Sequence, residues 1–167
     1  VETYRVPSIE DIELGYRIRR AGSRIVLDPT LLGKHLKVWT PKGALHTDIF
    51  RRALPWSRLM IAREGVANDL NTSQAERLKA VLAGLLILSV LALPFALGLW
   101  WLPVALAAAA LALNWRLFAF LRGNGGVWFA VRALAWHQFY YVYSAAAFVW
   151  CLFEFHVLGR KNRLHVP

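Results

Sequence analysis

The chain has 167 residues, of which 57% are hydrophobic and eight are tryptophan, and its mean hydropathy is +0.40. This composition is too apolar for an ordinary soluble domain and is typical of a membrane protein. The net charge of +10 comes from basic residues interleaved with long apolar runs, which favours anionic lipid and phosphate-bearing partners over nucleic acid. The single cysteine, Cys151, excludes an internal disulfide and a metal site built from cysteines.

The first predicted element is a helix from Glu10 to Ala21, which Gly22 ends. It opens with two adjacent acids, Glu10 and Asp11. Backbone N–H groups and the helix dipole favour ionised carboxylates at this position, and such a carboxylate can accept a proton at neutral pH. The alternative is ordinary capping, in which Ser8 is the N-cap and the acids only stabilise the first turn.

Two extended segments are predicted after this helix. The apolar residues 25–27 predict a short buried strand, Asp28 and Pro29 predict a turn, and residues 31–38 predict a second extended piece.

About the first 65 residues resemble the acceptor-side end of the catalytic domain in inverting family 2 glycosyltransferases, and the apolar region after them agrees with a membrane-attached subgroup of that family. That family has the motif E-D-x-[DE]-L-x-x-R-x-x-x-x-G, which this chain meets with Glu10, Asp11, Glu13, Leu14, Arg17 and Gly22. The segments 23–29 and 34–40 continue in the family's order. The resemblance implies that residues 1–40 are the C-terminal portion of a GT-A catalytic domain, with an α/β fold.

The resemblance also implies roles for individual residues. Asp11 corresponds to the general base that deprotonates an acceptor hydroxyl, and Glu10 to a residue that positions this base or binds the acceptor. Arg17 corresponds to a supporting ion-pair partner at the substrate-binding site.

His35 corresponds to a histidine that helps some members of the family to ligate a divalent metal, Mg or Mn, at the diphosphate leaving group. An ordinary histidine on an extended segment is the alternative, because one histidine makes no metal site alone and the sequence has no D-x-D motif. Processive members carry Q-x-x-R-W where residues 35–39 read H-L-K-V-W, which disfavours synthesis of a long polymer. Trp39 is expected to stack on the acceptor sugar or lipid, with packing in a core as the alternative.

Residues 41–77 are predicted to form an interfacial amphipathic helix and a linker. Thr40 and Pro41 are typical of a helix start, and Pro55 predicts a kink. The basic face would lie toward lipid headgroups, and a helix packed into a globular core is the alternative. The polar residues 65–76 predict a loop followed by a capped helix start.

Residues 78–158 are predicted to form a membrane region with about three transmembrane helices. The run from Leu78 to Leu113 has no charge except Lys79 at its edge, and it is too long for one crossing of ~20 residues. We expect helices over 78–97 and 102–121, a loop over 122–126, and a third helix that ends at Leu158. Glu154 and His156 are equally compatible with interfacial and functional roles, and residues 159–167 form a basic tail.

These observations predict the C-terminal part of an enzyme, a membrane-bound glycosyltransferase that uses a nucleotide-sugar donor and a lipid or lipid-linked acceptor. The expected location is a bacterial inner membrane, with the catalytic part in the cytoplasm. We expect the fragment to be inactive alone, because the donor-binding half is missing. The alternative is a non-catalytic membrane anchor or assembly subunit that retains a glycosyltransferase-like segment.

Overall fold

The computed structural model describes residues 8–34, 36, 38–65, 68 and 70–160, and its regular elements are helices. Six α-helices follow one another: α1 Glu10–Arg20, α2 Pro41–His46, α3 Leu54–Leu59, α4 Gln74–Ala92, α5 Trp101–Leu113 and α6 Trp115–His156. The π-helical stretches Thr47–Ala53 and Met60–Glu64 flank α3, so residues 41–64 form one continuous helical run. Short 3-10 helices cover Leu70–Thr72, Leu93–Phe95 and Leu97–Leu99.

The described residues fall into two compact units. Unit 1 contains the residues up to Gly65 and those from Ala147 onward, and unit 2 contains the residues between them. Helix α6 contributes its last part to unit 1 and the rest to unit 2.

The predicted α/β fold class is wrong for the part of the chain that the structure describes, since no strand is present there. Residues 23–28 and 31–34 follow an irregular path, and their apolar side chains are exposed, with Leu27 93% and Leu32 91% accessible. A strand is stable only when its backbone N–H and C=O groups pair with a neighbouring strand. The apolar pattern is therefore present, but the described chain supplies no second strand to complete a sheet.

The turn predicted at Asp28 and Pro29 is confirmed. The N–H of Leu31 donates to the Asp28 carbonyl at 3.3 Å. The hydroxyl and the N–H of Thr30 donate to Asp28 Oδ1 at 2.7 and 2.9 Å. The hydroxyl bond and then the N–H bond of Thr30 hold the pKa of the Asp28 carboxyl below its ordinary value, because both stabilise the charged form.

The ends of the early helices follow the sequence signals. In α1, Gly22 adopts a φ of +81°, and the N–H of Ser23 reaches back to the Ile18 carbonyl at 3.2 Å, which closes the helix as predicted. In α2, Thr40 Oγ1 accepts from the N–H of Gly43 at 3.1 Å, and Pro41 occupies the first helical position. Both signals are local, and both predictions are confirmed.

The core of unit 1 surrounds a buried ion pair between the 41–64 run and the end of α6. Arg58 Nε and Nη2 donate to Glu154 Oε2 at 3.1 and 3.0 Å, and the two side chains are only 15% and 6% exposed. The thiol of Cys151 donates to the Leu54 carbonyl at 3.7 Å. Leu59 and Cys151 are each 1% exposed, so apolar packing covers the pair.

In unit 2, α4 and α5 pack against each other, and the chain then bends twice. Ser73 caps α4, with its Oγ accepting from the N–H of Glu76 at 3.3 Å, as the predicted capped start requires. The helix predicted over 102–121 instead breaks at Asn114, whose buried side chain donates to the Ala110 carbonyl at 2.8 Å. An asparagine side chain that bonds the backbone in this way competes with the helical hydrogen bonds.

The loop predicted over residues 122–126 is wrong, because helix α6 continues through Gly125 and departs from helical geometry only at Gly126. Gly126 has a φ of 78° and a ψ of 177°. At Gly125 a Cβ atom would lie 2.4 Å from Phe129 Cδ1, so a side chain there would need Phe129 to move.

By length and composition, Gln74–Phe95 could cross a membrane. The pair Leu97–Leu113 and Trp115–His156, bent by 77°, passes the same test when taken together, which gives up to two such spans among the described residues. The apolar side chains of the first span point outward, as with Leu88, which is 64% exposed. An apolar surface of this kind is typical of a helix that faces lipid.

Replacing Gly126 by alanine tests the bend in α6. The φ and ψ of Gly126 lie in a region that is open almost only to glycine, so we expect Gly126→Ala to lower the free energy of unfolding by about 1–3 kcal/mol. Gly123→Ala is the control, because a Cβ atom at Gly123 meets nothing within 4 Å, and we expect it to be neutral or slightly stabilising. The measurement is a urea titration in detergent micelles followed by circular dichroism. Equal effects of the two substitutions would contradict the bend.

A second prediction concerns the ion pair of unit 1. Glu154→Leu leaves the Arg58 guanidinium buried without its partner, and we expect it to destabilise the protein by about 3–5 kcal/mol. The double variant Arg58→Met with Glu154→Leu removes both charges and is expected to recover most of that loss. The same urea titration measures both variants. A double variant no more stable than Glu154→Leu would show that the two charges are not paired.

Candidate functional site

The acid pair lies in the exposed first turn of α1. The Glu10 carboxylate accepts from the backbone N–H of Ser8 at 2.6 Å, and Asp11 Oδ1 accepts from the N–H of Ile12 at 2.9 Å. Both acids are exposed, and Ile9 occupies the N-cap position without a side-chain hydrogen bond. Ser8 is therefore not the N-cap, but the two backbone bonds agree with the alternative in which the acids stabilise the first turn. The acids carry the charge at this helix end, where N–H groups stabilise a carboxylate.

Arg17 does not pair with the two candidate catalytic acids. Its Nε lies 3.0 Å from the carboxylate of Glu13, one turn earlier in α1. This exposed pair at positions i and i+4 is an ordinary helix-surface interaction, worth about 0.3–0.5 kcal/mol. The predicted role of Arg17 as a substrate-binding residue remains a prediction.

A hydrogen bond places the start of α1 beside the 41–64 run. Ser8 Oγ donates to the Arg51 carbonyl at 2.7 Å, and the next residue, Ile9, is 1% exposed. Pro55 stands four residues after Arg51 and has no N–H to donate to that carbonyl. The serine hydroxyl thus supplies a donor where the proline removes one. This contact holds Glu10 and Asp11 next to the helical run.

Two buried donors lie on the same run. Arg51 Nη1 and Trp56 Nε1 have no hydrogen-bond partner among the residues that the structure describes. Trp39, the other predicted substrate-binding residue, is about half exposed and comes directly before Thr40, the N-cap of α2. Its predicted role in binding the acceptor remains a prediction.

His35 lies outside the described residues, so its predicted role as a metal ligand stays a prediction. In the described chain, no group of three or more His, Cys, Asp and Glu side chains could hold a metal ion. The described residues alone therefore do not supply the set of oxygen ligands that Mg or Mn prefers.

Sequence reasoning missed a polar network in unit 2. The Tyr141 hydroxyl donates to Glu76 Oε2 at 2.5 Å, and Lys79 Nζ donates to Glu76 Oε1 at 2.6 Å. His137 Nε2 lies 3.1 Å from the Tyr141 oxygen. Because the phenol gives its one proton to Glu76, it accepts from His137, which assigns the proton to Nε2. The sequence places Glu76 near Lys79 on α4 and His137 near Tyr141 on α6. It does not show that these two pairs contact each other.

The network stabilises a charged carboxylate at the beginning of the candidate membrane span, Gln74–Phe95. Glu76 belongs to the first turn of α4, and its two oxygens receive a charged and a neutral donor from Lys79 and Tyr141. Carboxylates next to an apolar span are tolerated when they are paired in this way. Asn71 Nδ2 extends the polar region by donating to the Tyr140 hydroxyl at 2.9 Å.

Comparison with known proteins gives no relative for this chain: no protein-family model, no curated protein and no solved structure matches it.

Coupled substitutions test the contact between Ser8 and the helical run. We expect Ser8→Ala to destabilise the protein by about 1 kcal/mol, because the Arg51 carbonyl loses its donor. In a Pro55→Ala background the new N–H can serve that carbonyl, so the same Ser8→Ala change is expected to cost about 0.5–1 kcal/mol less. The four proteins of this cycle are compared by denaturant titration in detergent. An identical cost in both backgrounds would mean that the hydroxyl does not replace the missing donor.

Proposed function

We propose that this chain is the acceptor-side part of a membrane-bound glycosyltransferase, which transfers a sugar from a nucleotide-sugar donor to a lipid or lipid-linked acceptor with inversion. The observation that carries the proposal is the position of Asp11. Its carboxylate is exposed in the first turn of α1, in a motif that resembles the base-bearing segment of family 2 glycosyltransferases, and Ser8 attaches that turn to the 41–64 run.

In the proposed reaction, Asp11 takes the proton of the acceptor hydroxyl while the hydroxyl oxygen attacks the anomeric carbon of the donor. The bond from that carbon to the nucleoside diphosphate breaks as the new glycosidic bond forms, so one displacement inverts the configuration. The carboxylate acts mainly through its position within hydrogen-bond reach of the hydroxyl. Glu10, which the Ser8 N–H holds in place, orients the acceptor.

Membrane attachment supports a lipid acceptor in this proposal. The chain contains a helix, Gln74–Phe95, that is long and apolar enough to span a bilayer. The 41–64 run carries the exposed Arg52 and the half-exposed Phe50, a combination suited to a membrane surface. We place the site at the cytoplasmic face of a bacterial inner membrane, where an acceptor embedded in the bilayer would reach Asp11.

A second function, a non-catalytic membrane anchor or assembly subunit, is favoured by one observation. The apolar residues of the segment 23–34 are exposed and unpaired in the described chain, as with Leu27 and Leu32. An apolar segment of this kind suits contact with another polypeptide. A screen of nucleotide sugars on membranes that contain the complete gene product separates the two functions, because an anchor consumes none of the donors.

Substitution of the proposed base provides the direct test. We expect Asp11→Asn to lower the transfer rate by about 10²–10⁴-fold in membranes that contain the complete gene product, because the amide cannot accept the proton. Asp48→Asn is the control, since Asp48 lies outside the motif and pairs with Arg52, and its rate is expected to stay close to that of the parent protein. Full transfer by Asp11→Asn would rule out this residue as the base.

A further inference from the structure

We infer that one face of helix α6 binds the headgroup layer of an anionic membrane, with Arg132 contacting the lipid phosphate. The exposed side chains of this aromatic face are Trp128, Phe129, Arg132, Trp136 and Phe139. The face belongs to unit 2, and the inference does not depend on the proposed glycosyl transfer, which is placed at α1 in unit 1.

The first observation is that these side chains share one side of a regular helix. Helix α6 departs from helical geometry at Gly126, and the aromatic face lies wholly after that residue. Trp128, Arg132 and Trp136 follow one another at intervals of four residues, a spacing at which helical side chains are neighbours on the surface. Trp128 is 78% exposed and Trp136 is 45% exposed. Arg132 therefore lies between two exposed tryptophans.

The other side of the same stretch is buried. Ala130 is fully buried, and Gln138 and Tyr141 are only 8% and 4% exposed. The helix is thus packed on one side, and the aromatic face is turned away from the protein. A contiguous exposed patch of large aromatic side chains on a packed helix is typical of a surface that meets a membrane or another protein.

A hydrogen bond places this part of α6 at one end of the candidate membrane span. The Tyr141 hydroxyl donates to the carboxylate of Glu76, which lies in the first turn of α4 at the beginning of Gln74–Phe95. The end of a span is the level at which the apolar core of a bilayer meets the headgroups. Tyr141 and the neighbouring turns of α6 therefore lie at the level of the headgroups.

The direction of α6 agrees with this level. Helix α5 packs against α4 after a short connection, so we expect the two helices to enter the apolar layer together. The segments Leu97–Leu113 and Trp115–His156 are bent by 77° relative to each other. A helix that leaves a spanning pair at nearly a right angle runs close to the plane of the membrane. Tryptophan and arginine on such a helix suit the interface between lipid and water.

The charge of this stretch favours an anionic lipid over a zwitterionic one. The sequence has no aspartate or glutamate between residues 77 and 153, so this part of α6 offers Arg132 no acidic neighbour. Arg132 Nε donates to the Trp128 carbonyl at 3.3 Å, and the two Nη groups carry the remaining N–H donors of the guanidinium. A phosphate group supplies several charged acceptor oxygens for these donors. A headgroup with a net negative charge strengthens the attraction to a basic residue at the membrane surface.

Competition between two lipids tests the inference. The chain in neutral detergent receives equal amounts of phosphatidylglycerol and phosphatidylcholine with identical acyl chains, and native mass spectrometry counts the bound lipids of each kind. We expect the unaltered chain to prefer phosphatidylglycerol. Arg132→Gln is expected to reduce this preference about fivefold, the contribution typical of one basic residue at an anionic surface. Arg132→Lys keeps the charge and is expected to retain most of the preference.

Two further variants separate the arginine from the general charge and from the aromatic rings. Arg122→Gln is the matched control, because Arg122 is exposed on the same helix but precedes the bend at Gly126 and lies outside the aromatic face. We expect it to change the lipid preference by less than about twofold, as a general effect of net charge. Trp128→Ser is expected to weaken binding of both lipids by about twofold or more at an unchanged ratio, because an indole ring inserts among headgroups of either charge.

Equal losses of preference in Arg132→Gln and Arg122→Gln overturn the inference, since they indicate only general attraction to a basic chain. Equal binding of the two lipids by the unaltered chain also overturns it. Dimers that disappear in Trp128→Ser would assign the aromatic face to a second copy of the chain instead.

The tryptophan variant keeps the test decisive if Arg132→Gln does not fold, as judged by circular dichroism. Lipid binding by Trp128→Ser that equals that of the unaltered chain overturns the inference by itself. No sugar donor is present in these measurements. Failure of the proposed transfer reaction would therefore leave them unaffected, and loss of lipid binding would leave the Asp11 assignment unaffected.

Discussion

The buried contact between Arg58 and Glu154 is the constraint on which unit 1 depends. Moving two charged groups out of water has a large unfavourable free energy. Pairing offsets this free energy only when the two groups meet with good geometry. Two donor atoms of Arg58 within 3.1 Å of one oxygen of Glu154 meet that requirement. Arg58 and Glu154 are 96 positions apart in the sequence. Their pairing therefore fixes how the 41–64 run packs against the last turns of α6. Ser57, Leu59 and Cys151, which lie on the same two segments, are buried as well.

The position of the candidate site depends on a backbone hydrogen bond, the one that the Arg51 carbonyl accepts from Ser8. Pro55 disturbs the helical hydrogen bonds of the 41–64 run, and the carbonyl of Arg51 is bonded by Ser8 from outside that run. The same residue, Arg51, therefore contacts α1 through its carbonyl and leaves a side-chain nitrogen without a protein partner. One irregular helical segment thus holds the turn that carries the acid pair, in agreement with the frequent occurrence of π-helical turns at functional sites.

The features that could be predicted from the sequence are those decided within a few residues. The end of α1 at Gly22, the start of α2 at Thr40 and the turn at Asp28 each depend on one side chain and its immediate backbone. The α/β class was wrong because a strand depends on a partner strand, which an apolar pattern such as that of residues 25–27 does not specify. The bend at Asn114 depends on one side-chain bond to the backbone that hydropathy does not register. In the candidate site, the exposed acids were identified from their motif, whereas the Ser8 contact and the unpartnered Arg51 nitrogen required the tertiary structure.

The burial of Cys151 has a practical consequence. Its sulfur is enclosed between the end of α6 and the Leu54 carbonyl, and it is the chain's single thiol. A thiol-specific reagent such as a maleimide can react with it only when this part of unit 1 opens. The labelling rate of the unaltered chain is therefore an intrinsic reporter of local opening, and no engineered probe is needed to follow it.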